Sequence, residues 1–285
     1  MRVRDPLLGT RCEIEALAPT AETSDAAEIR ALDEVVRLES VFSVYDESSD
    51  LSVLRRTELI NSDELAEVWS LALEWHRLTD GVFHPAAQPL IDLWNESARL
   101  DTLPSDAALT EVVSALDPED YRHIDFNALA KGWIADRALD TAFGGDESPD
   151  GAWLSLGGDL VHRGDGSVVV GIEDPGRPYD NVAPMATIEV CNEALATSGT
   201  VHRYWTIEGK RFSRVLDPRT GRPVERVRQA SVVAHTAATA DVLATVALIL
   251  EPEETFDLVA SQNAACLLVT KAGDMLQSTD RFKRG

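Results

Sequence analysis

Asp241 and Thr245 stand four residues apart in the segment Ala240-Asp241-Val242-Leu243-Ala244-Thr245. On a helix that spacing puts a carboxylate and a hydroxyl on one face, an odd pairing in an otherwise apolar run. With a backbone carbonyl brought in from elsewhere, the pair forms an all-oxygen site suited to Mg²⁺, a hard cation that keeps waters and takes substrate phosphates. The alternative is local: Asp241 caps the helix, and Thr245 bonds back to the carbonyl four residues earlier.

Three other segments carry chemistry-bearing residues at close spacing. In Ile124-Asp125-Phe126-Asn127-Ala128-Leu129-Ala130-Lys131-Gly132, a strand end runs into a helix, and the first turn displays an acid and one of the chain's 4 lysines. Asp125 suits the edge of a base or ribose. Lys131 suits a phosphate near a helix start, where unpaired N–H groups already favour anions. The competing reading is a capped helix with a solvated lysine. In Leu156-Gly157-Gly158-Asp159 two glycines allow a tight turn in which backbone approaches a ligand, or simply a plain hairpin. Ala196-Thr197-Ser198-Gly199-Thr200 and Leu216-Asp217-Pro218-Arg219-Thr220-Gly221 bring hydroxyls, an acid and an arginine into short stretches, which suits a phosphate or metal shell as well as an ordinary turn.

Much else is excluded. The six histidines, His76, His84, His123, His162, His202 and His235, form no HExxH or other metal-ligand spacing, and neither GxGxxG nor GxxxxGK[ST] occurs. Lys and Arg total 26 against 49 Asp and Glu, a formal charge of −23, the wrong sign for binding nucleic acid or an anionic membrane through the overall field. Screening confines that field to about 8 Å at physiological salt, so a local basic pocket for a small phosphorylated ligand remains compatible with it. Cys12, Cys191 and Cys266 are odd in number and widely spaced, which reads as reduced core thiols. No stretch has the length to span a bilayer and the N-terminal residues lack a secretory apolar core, so the expected location is the cytoplasm.

Patterning assigns the elements that must position these residues. Helices are expected from a cap at Asp25, from a cap at Ser62, and over 108–116, 129–143 and 237–250, the last stopped by Glu251-Pro252. A polar break at 146–150 follows Gly144-Gly145. Beyond it, strands are expected at 153–156, 167–172, 186–190, 204–207, 211–216, 230–234 and 265–270, with turns at Asp165-Gly166 and Glu208-Gly209. A helix-rich first half (about 20–145) and a strand-rich second half (about 150–285) read as an α+β fold, two-lobed, with a ligand cleft between the lobes.

Taken in order, the segments resemble the ApbE-type FAD:protein FMN transferases. The likeness covers nearly the whole chain: Leu8-Gly9-Thr10; Phe42-Ser43-Val44-Tyr45-Asp46 with Ser49 and Leu51; Thr79-Asp80-Gly81-Val82-Phe83; and Pro89-Leu90 with Leu93-Trp94. It continues through Asp125 to Gly132, Leu156 to Asp159, Gly171-Ile172 with Asp174-Pro175, Ala196 to Gly199, Leu216 to Gly221 and Ala240 to Thr245. The resemblance implies a single domain that binds FAD, uses Mg²⁺ on the pyrophosphate, releases AMP and attaches FMN to a threonine of a partner protein. It implies a metal held by Asp241, Thr245 and the carbonyl of Ala128, and FAD contacts from Leu8, Tyr45, Val82, Phe83, His84, Asp125, Lys131, Gly158, Ser198 and Val215. Tyr45 is a sensible stacking surface for a flavin or adenine ring.

Three departures qualify the likeness. Family members usually carry a histidine before the Ile-Leu-Asp-Pro stretch, where this chain has Arg214 ahead of Val215-Leu216-Asp217. A guanidinium has no acceptor, so Arg214 cannot serve as a base; with Asp217 it is assigned to the catalytic loop, stabilising charge on the transferring phosphate. His84 replaces an aspartate, and Phe126-Asn127 replaces Leu-Gly. A hydrolase that releases FMN, or a flavin binder with impaired catalysis, is the alternative that Arg214 leaves open.

Overall fold

The computed structural model describes residues 1–126, 128–145, 147–177, 182–201 and 203–284. The chain opens with β1 (Arg2–Leu7), β2 (Thr10–Leu17), α1 (Ala21–Phe42), α2 (Asp50–Thr57) and α3 (Asp63–Leu78). Next come α4 (Gln88–Leu100), α5 (Asp106–Ser114), a short 3-10 turn and α6 (Ala130–Ala142). Strands β3 (Gly151–Leu156), β4 (Asp159–Gly164), β5 (Val168–Ile172), β6 (Ala186–Val190) and β7 (Ala194–Gly199) follow. Then come two small hairpins, β8 (Tyr204–Ile207) with β9 (Lys210–Ser213), and β10 (Leu216–Asp217) with β11 (Arg222–Pro223). The chain closes with β12 (Val227–Ala234), α7 (Ala237–Val246), α8 (Pro252–Ser261), β13 (Ala265–Thr270), β14 (Met275–Gln277) and β15 (Lys283–Arg284).

An eight-stranded antiparallel sheet in the order β1-β2-β3-β4-β7-β12-β13-β14 organises the α+β fold. Side chains alternate across its pleat. Ala194, Ala196, Val232, Cys266 and Leu268 join the main core with α1, α6 and α7. Their neighbours Leu195, Val233, Ala265 and Leu267 face the other way, into a second cluster with Ile172 and Ile188 of the three-stranded sheet β15-β6-β5 and with Phe282 just before β15. A third cluster joins Leu90 and Trp94 of α4 and Leu109 of α5 to Trp205 and Ile207 of β8.

The helix-rich and strand-rich stretches share one core. β2, which precedes residue 20, pairs along its length with β3, and α6 packs against α7. Ser62 caps α3 as its spacing predicts, but α1 starts at Thr20, whose hydroxyl accepts from the Thr23 amide, and Asp25 instead pairs with Arg2. Glu251-Pro252, read as a helix stop, opens α8: proline sits in the first turn, where a missing N–H costs nothing, and Glu251 and Glu254 form a capping box. The predicted strand 211–216 divides into β9 and β10, with Arg214 at the break. Cys12 and Cys266 are buried, but Cys191 is exposed and is not a core thiol. Asn127, Asp146 and His202 lie outside the described residues.

Candidate active site

Helix α6 begins without a side-chain cap at Leu129, and its first amides find other partners: Ala130 N–H donates to the Phe126 carbonyl at 2.7 Å. Gly132 N–H reaches across to the next helix and donates to Asp241 Oδ2 at 3.3 Å. That contact depends on the missing side chain: a Cβ at position 132 would lie 2.3 Å from the carbonyl oxygen of Ala237, so only glycine lets α6 press onto the start of α7. Asp136, one turn along α6, accepts from the amides of Ala237 and Ala238 at 2.9 Å each and also pairs with Arg163. Its burial raises its carboxyl above the ordinary range.

The cap of α7 is Thr236, which accepts from the Thr239 amide. Asp241 is therefore not the capping residue that local chemistry offered as its alternative role. It points instead at α6, with its residue only 4% exposed. Lys131 Nζ stands 3.3 Å from Asp241 Oδ2 and in direct contact with Asp159 Oδ2. Asp159 is 3% exposed, opens β4 just after the Gly157-Gly158 turn, and accepts from the Thr197 amide at 3.1 Å. Both turn glycines have positive φ, +64° and +94°, which is what lets the strand reverse in two residues. From β7, Ser198 Oγ lies 3.1 Å from Thr245 Oγ1.

Four of the singled-out residues thus converge, namely Lys131, Ser198, Asp241 and Thr245, and Asp159 joins them. Asp159 was visible in the sequence only as the acid after two glycines; its contact with Lys131 is a tertiary one. Two buried carboxylates face one ammonium, so the cluster keeps a formal negative charge that a cation would neutralise. Among the described residues no group of three or more His, Cys, Asp or Glu is placed to chelate a metal. The donors on hand are a carboxylate and hydroxyls, an oxygen set that fits a hard cation sharing its shell with water and phosphate, and not a soft one.

The other expected contacts are distributed more widely. Leu8 has φ +52°, and its amide donates to Glu39 at 2.8 Å. Tyr45 is 95% exposed on the loop after α1. Val82 and Phe83 are buried in the main core, and the Phe83 amide and carbonyl are already bonded to Thr79 and His76. The Asp125 amide donates to the Pro85 carbonyl at 2.7 Å, which ties the approach to α6 to the loop carrying His84. His84 Nδ1 accepts from the Ala86 amide, and its ring meets His76 edge to face at 4.8 Å. Burial, and secondarily His76, push the His84 imidazole down to about 4, so it is neutral at pH 7. Ala128 is half-buried just before α6.

Arg214 is exposed, with its guanidinium 5.3 Å from the Trp205 ring centroid. The Val215 amide donates to Ser213 Oγ at 3.0 Å. Asp217 is held by the amide and guanidinium of Arg219 at 2.9 and 3.0 Å, closing a turn that Trp94 secures by donating to the Gly221 carbonyl at 2.8 Å.

Residues 8–268 match the model of the ApbE family. The chain is 25% identical to the FAD:protein FMN transferase of Escherichia coli K12, covering 84% of this chain and 75% of that protein. It is 26% identical to the FAD:protein FMN transferase of Treponema pallidum, over 89% and 79% of the two chains. Its fold is similar to the crystal structure of the ApbE protein from Thermotoga maritima, with TM-score 0.81, 25% identity and 97% of each chain covered. It also matches flavin transferase ApbE from Vibrio cholerae, with TM-score 0.76, 22% identity, and 100% and 97% covered.

Proposed function

Because the chain belongs to the ApbE family, we propose that it is an FAD:protein FMN transferase, moving FMN from FAD to a threonine of an acceptor protein and releasing AMP. The observation that carries this reading is Lys131 set between the buried carboxylates of Asp159 and Asp241. The cluster's formal negative charge supports a reading in which a cation joins Lys131 at the pyrophosphate.

In the reaction the threonine oxygen attacks the FMN-side phosphorus, the bond to the AMP oxygen breaks as the new P–O bond forms, and the hydroxyl proton passes to water or to the departing AMP phosphate. Asp241, Thr245 and the Ala128 carbonyl would hold a Mg²⁺, which would supply charge neutralisation on the pyrophosphate. Lys131 orients a phosphate oxygen, and the uncapped start of α6 favours the same charge. Leu8, Tyr45, Val82, Phe83, His84, Asp125, Gly158, Ser198 and Val215 line the remainder of FAD. In the segment 212–217 only Asp217 is a carboxylate, and it is engaged by Arg219. Arg214 therefore acts on charge and not on the proton, and the missing base costs about 10²–10⁴-fold in rate.

The protein incubated with FAD, MgCl₂ and a threonine-bearing acceptor protein should yield AMP together with an acceptor heavier by one FMN moiety. AMP and free FMN with no labelled acceptor would mean hydrolysis by water, the alternative that Arg214 leaves open. Intact FAD and unmodified acceptor would overturn both.

A further inference from the structure

The hairpin β8–β9 and its flanks, residues 203–214, hold Arg203, Lys210, Arg211 and Arg214 against a single acid, Glu208. All four cations are exposed, and none forms an ion pair among the described residues, although the chain carries 49 acidic residues. Elsewhere basic residues are commonly matched: Arg37 to Glu34, Arg99 to Glu96, Arg122 to Asp120, Arg281 to Glu193. A local basic surface left unmatched in so acidic a chain is an interaction surface of opposite sign to the rest of the molecule.

The hairpin is also firmly mounted. Trp205 stacks on Trp94 with centroids 5.6 Å apart and an interplanar angle of 27°, and its indole donates to Asn95 at 2.9 Å. Phe212 meets Trp94 at 5.5 Å, and Asp101 accepts from the Glu208 amide at the tip. On the outward side Tyr204 is 39% exposed, and Arg211 lies 4.3 Å over its ring. Tyr and Arg dominate binding hot spots, and a fixed platform loses little freedom when a partner arrives.

Both ends of the hairpin run on in sequence to residues assigned to the reaction. Six residues upstream of Tyr204 is Ser198, which touches Thr245, a separation of at most about 20 Å. Downstream, Ser213 leads directly into Arg214 and Asp217, and the Arg214 amide donates to the Arg203 carbonyl at 3.2 Å. A partner seated on the hairpin is presented at the rim of the site.

We propose that the β8–β9 hairpin docks the acceptor protein through an acidic face beside the target threonine. This rests on the transferase reading above. A long polyanion would run past the hairpin into the negative field of the remaining surface, whereas a compact acidic face can stay within a screening length of about 8 Å of the four cations.

The test uses two labelled peptides with the same central threonine, one flanked by Asp and Glu, the other by Asn and Gln. Binding is read by fluorescence anisotropy, and transfer is read separately by mass. The acidic peptide should bind at least about tenfold tighter at low salt, and the double variant Lys210→Glu/Arg211→Glu should erase that preference while FAD affinity stays within about twofold. Equal binding of the two peptides, or an unchanged preference in the variant, overturns the docking proposal. Weakened FAD binding in the variant overturns it too, since the hairpin would then serve the nucleotide. Preferential binding without FMN transfer would leave the docking surface standing and count against the transferase reading.

Discussion

The main-chain amide of Gly132 donates to the Asp241 carboxylate across 3.3 Å, a contact that exists because α6 and α7 meet without a side chain between them. Gly132→Ala would place a methyl group 2.3 Å from the Ala237 carbonyl. Overpacking of this kind costs about 1–3 kcal/mol, which outweighs the gain of up to about 1 kcal/mol that alanine brings to a helix. Chemical denaturation should show a net loss of stability, and FMN transfer should fall further than stability does, because Asp241 moves away from Lys131.

Lys131→Met removes the ammonium shared by Asp159 and Asp241 and leaves two buried carboxylates facing each other. Breaking such a cluster costs about 3–5 kcal/mol when fully buried, and somewhat less here, since Lys131 is 29% exposed. Asp159→Asn, which keeps shape and hydrogen bonding, should be milder. Urea titration of the two variants checks the order; equal losses would mean that Lys131 is solvated and not shared.

The His84 imidazole lies at about 4 in the folded chain, against 6.5 ordinarily. The unfolded chain takes up a proton near pH 6.5 that the folded chain refuses until about pH 4. Stability is therefore greatest above pH 6.5, falls through that window and levels off below it. Thermal melts at pH 7 and pH 5 should differ by less in His84→Asn than in the parent protein.

Among the thiols, burial pushes Cys12 up to about 11 and raises Cys266 further, whereas Cys191 is exposed. Iodoacetamide at pH 8 should add one label to the native protein and three after denaturation, as counted by mass. Two native labels would show that β2 or β13 opens readily.

Some of this could be read from the chain and some could not. The i, i+4 pair Asp241/Thr245 was legible because helical spacing alone puts both on one face of α7. The partnership of Asp159 with Lys131 was not, because residues 28 apart in sequence meet only when β4 and α6 pack. Strand β7, which carries Ser198, escaped notice because Ala-Leu-Ala-Thr-Ser-Gly has weak strand propensity and is held in place by β4 and β12 on either side. Helix α4 escaped because Ala87 stands at its start and offers no side-chain cap. The tight α6–α7 contact at Gly132 leaves no trace in sequence beyond a glycine in a helix.

In the proposed reaction FMN transfer depends on the carboxylate of Asp241. The most direct measurement is the mass of an acceptor protein incubated with FAD and MgCl₂ in the presence of either the parent protein or Asp241→Asn, with circular dichroism confirming that both are folded. The parent should add one FMN moiety to the acceptor, and the variant should be slower by at least about 100-fold, a loss of about 2.7 kcal/mol in transition-state stabilisation. Equal labelling by the two proteins would remove Asp241 from the reaction.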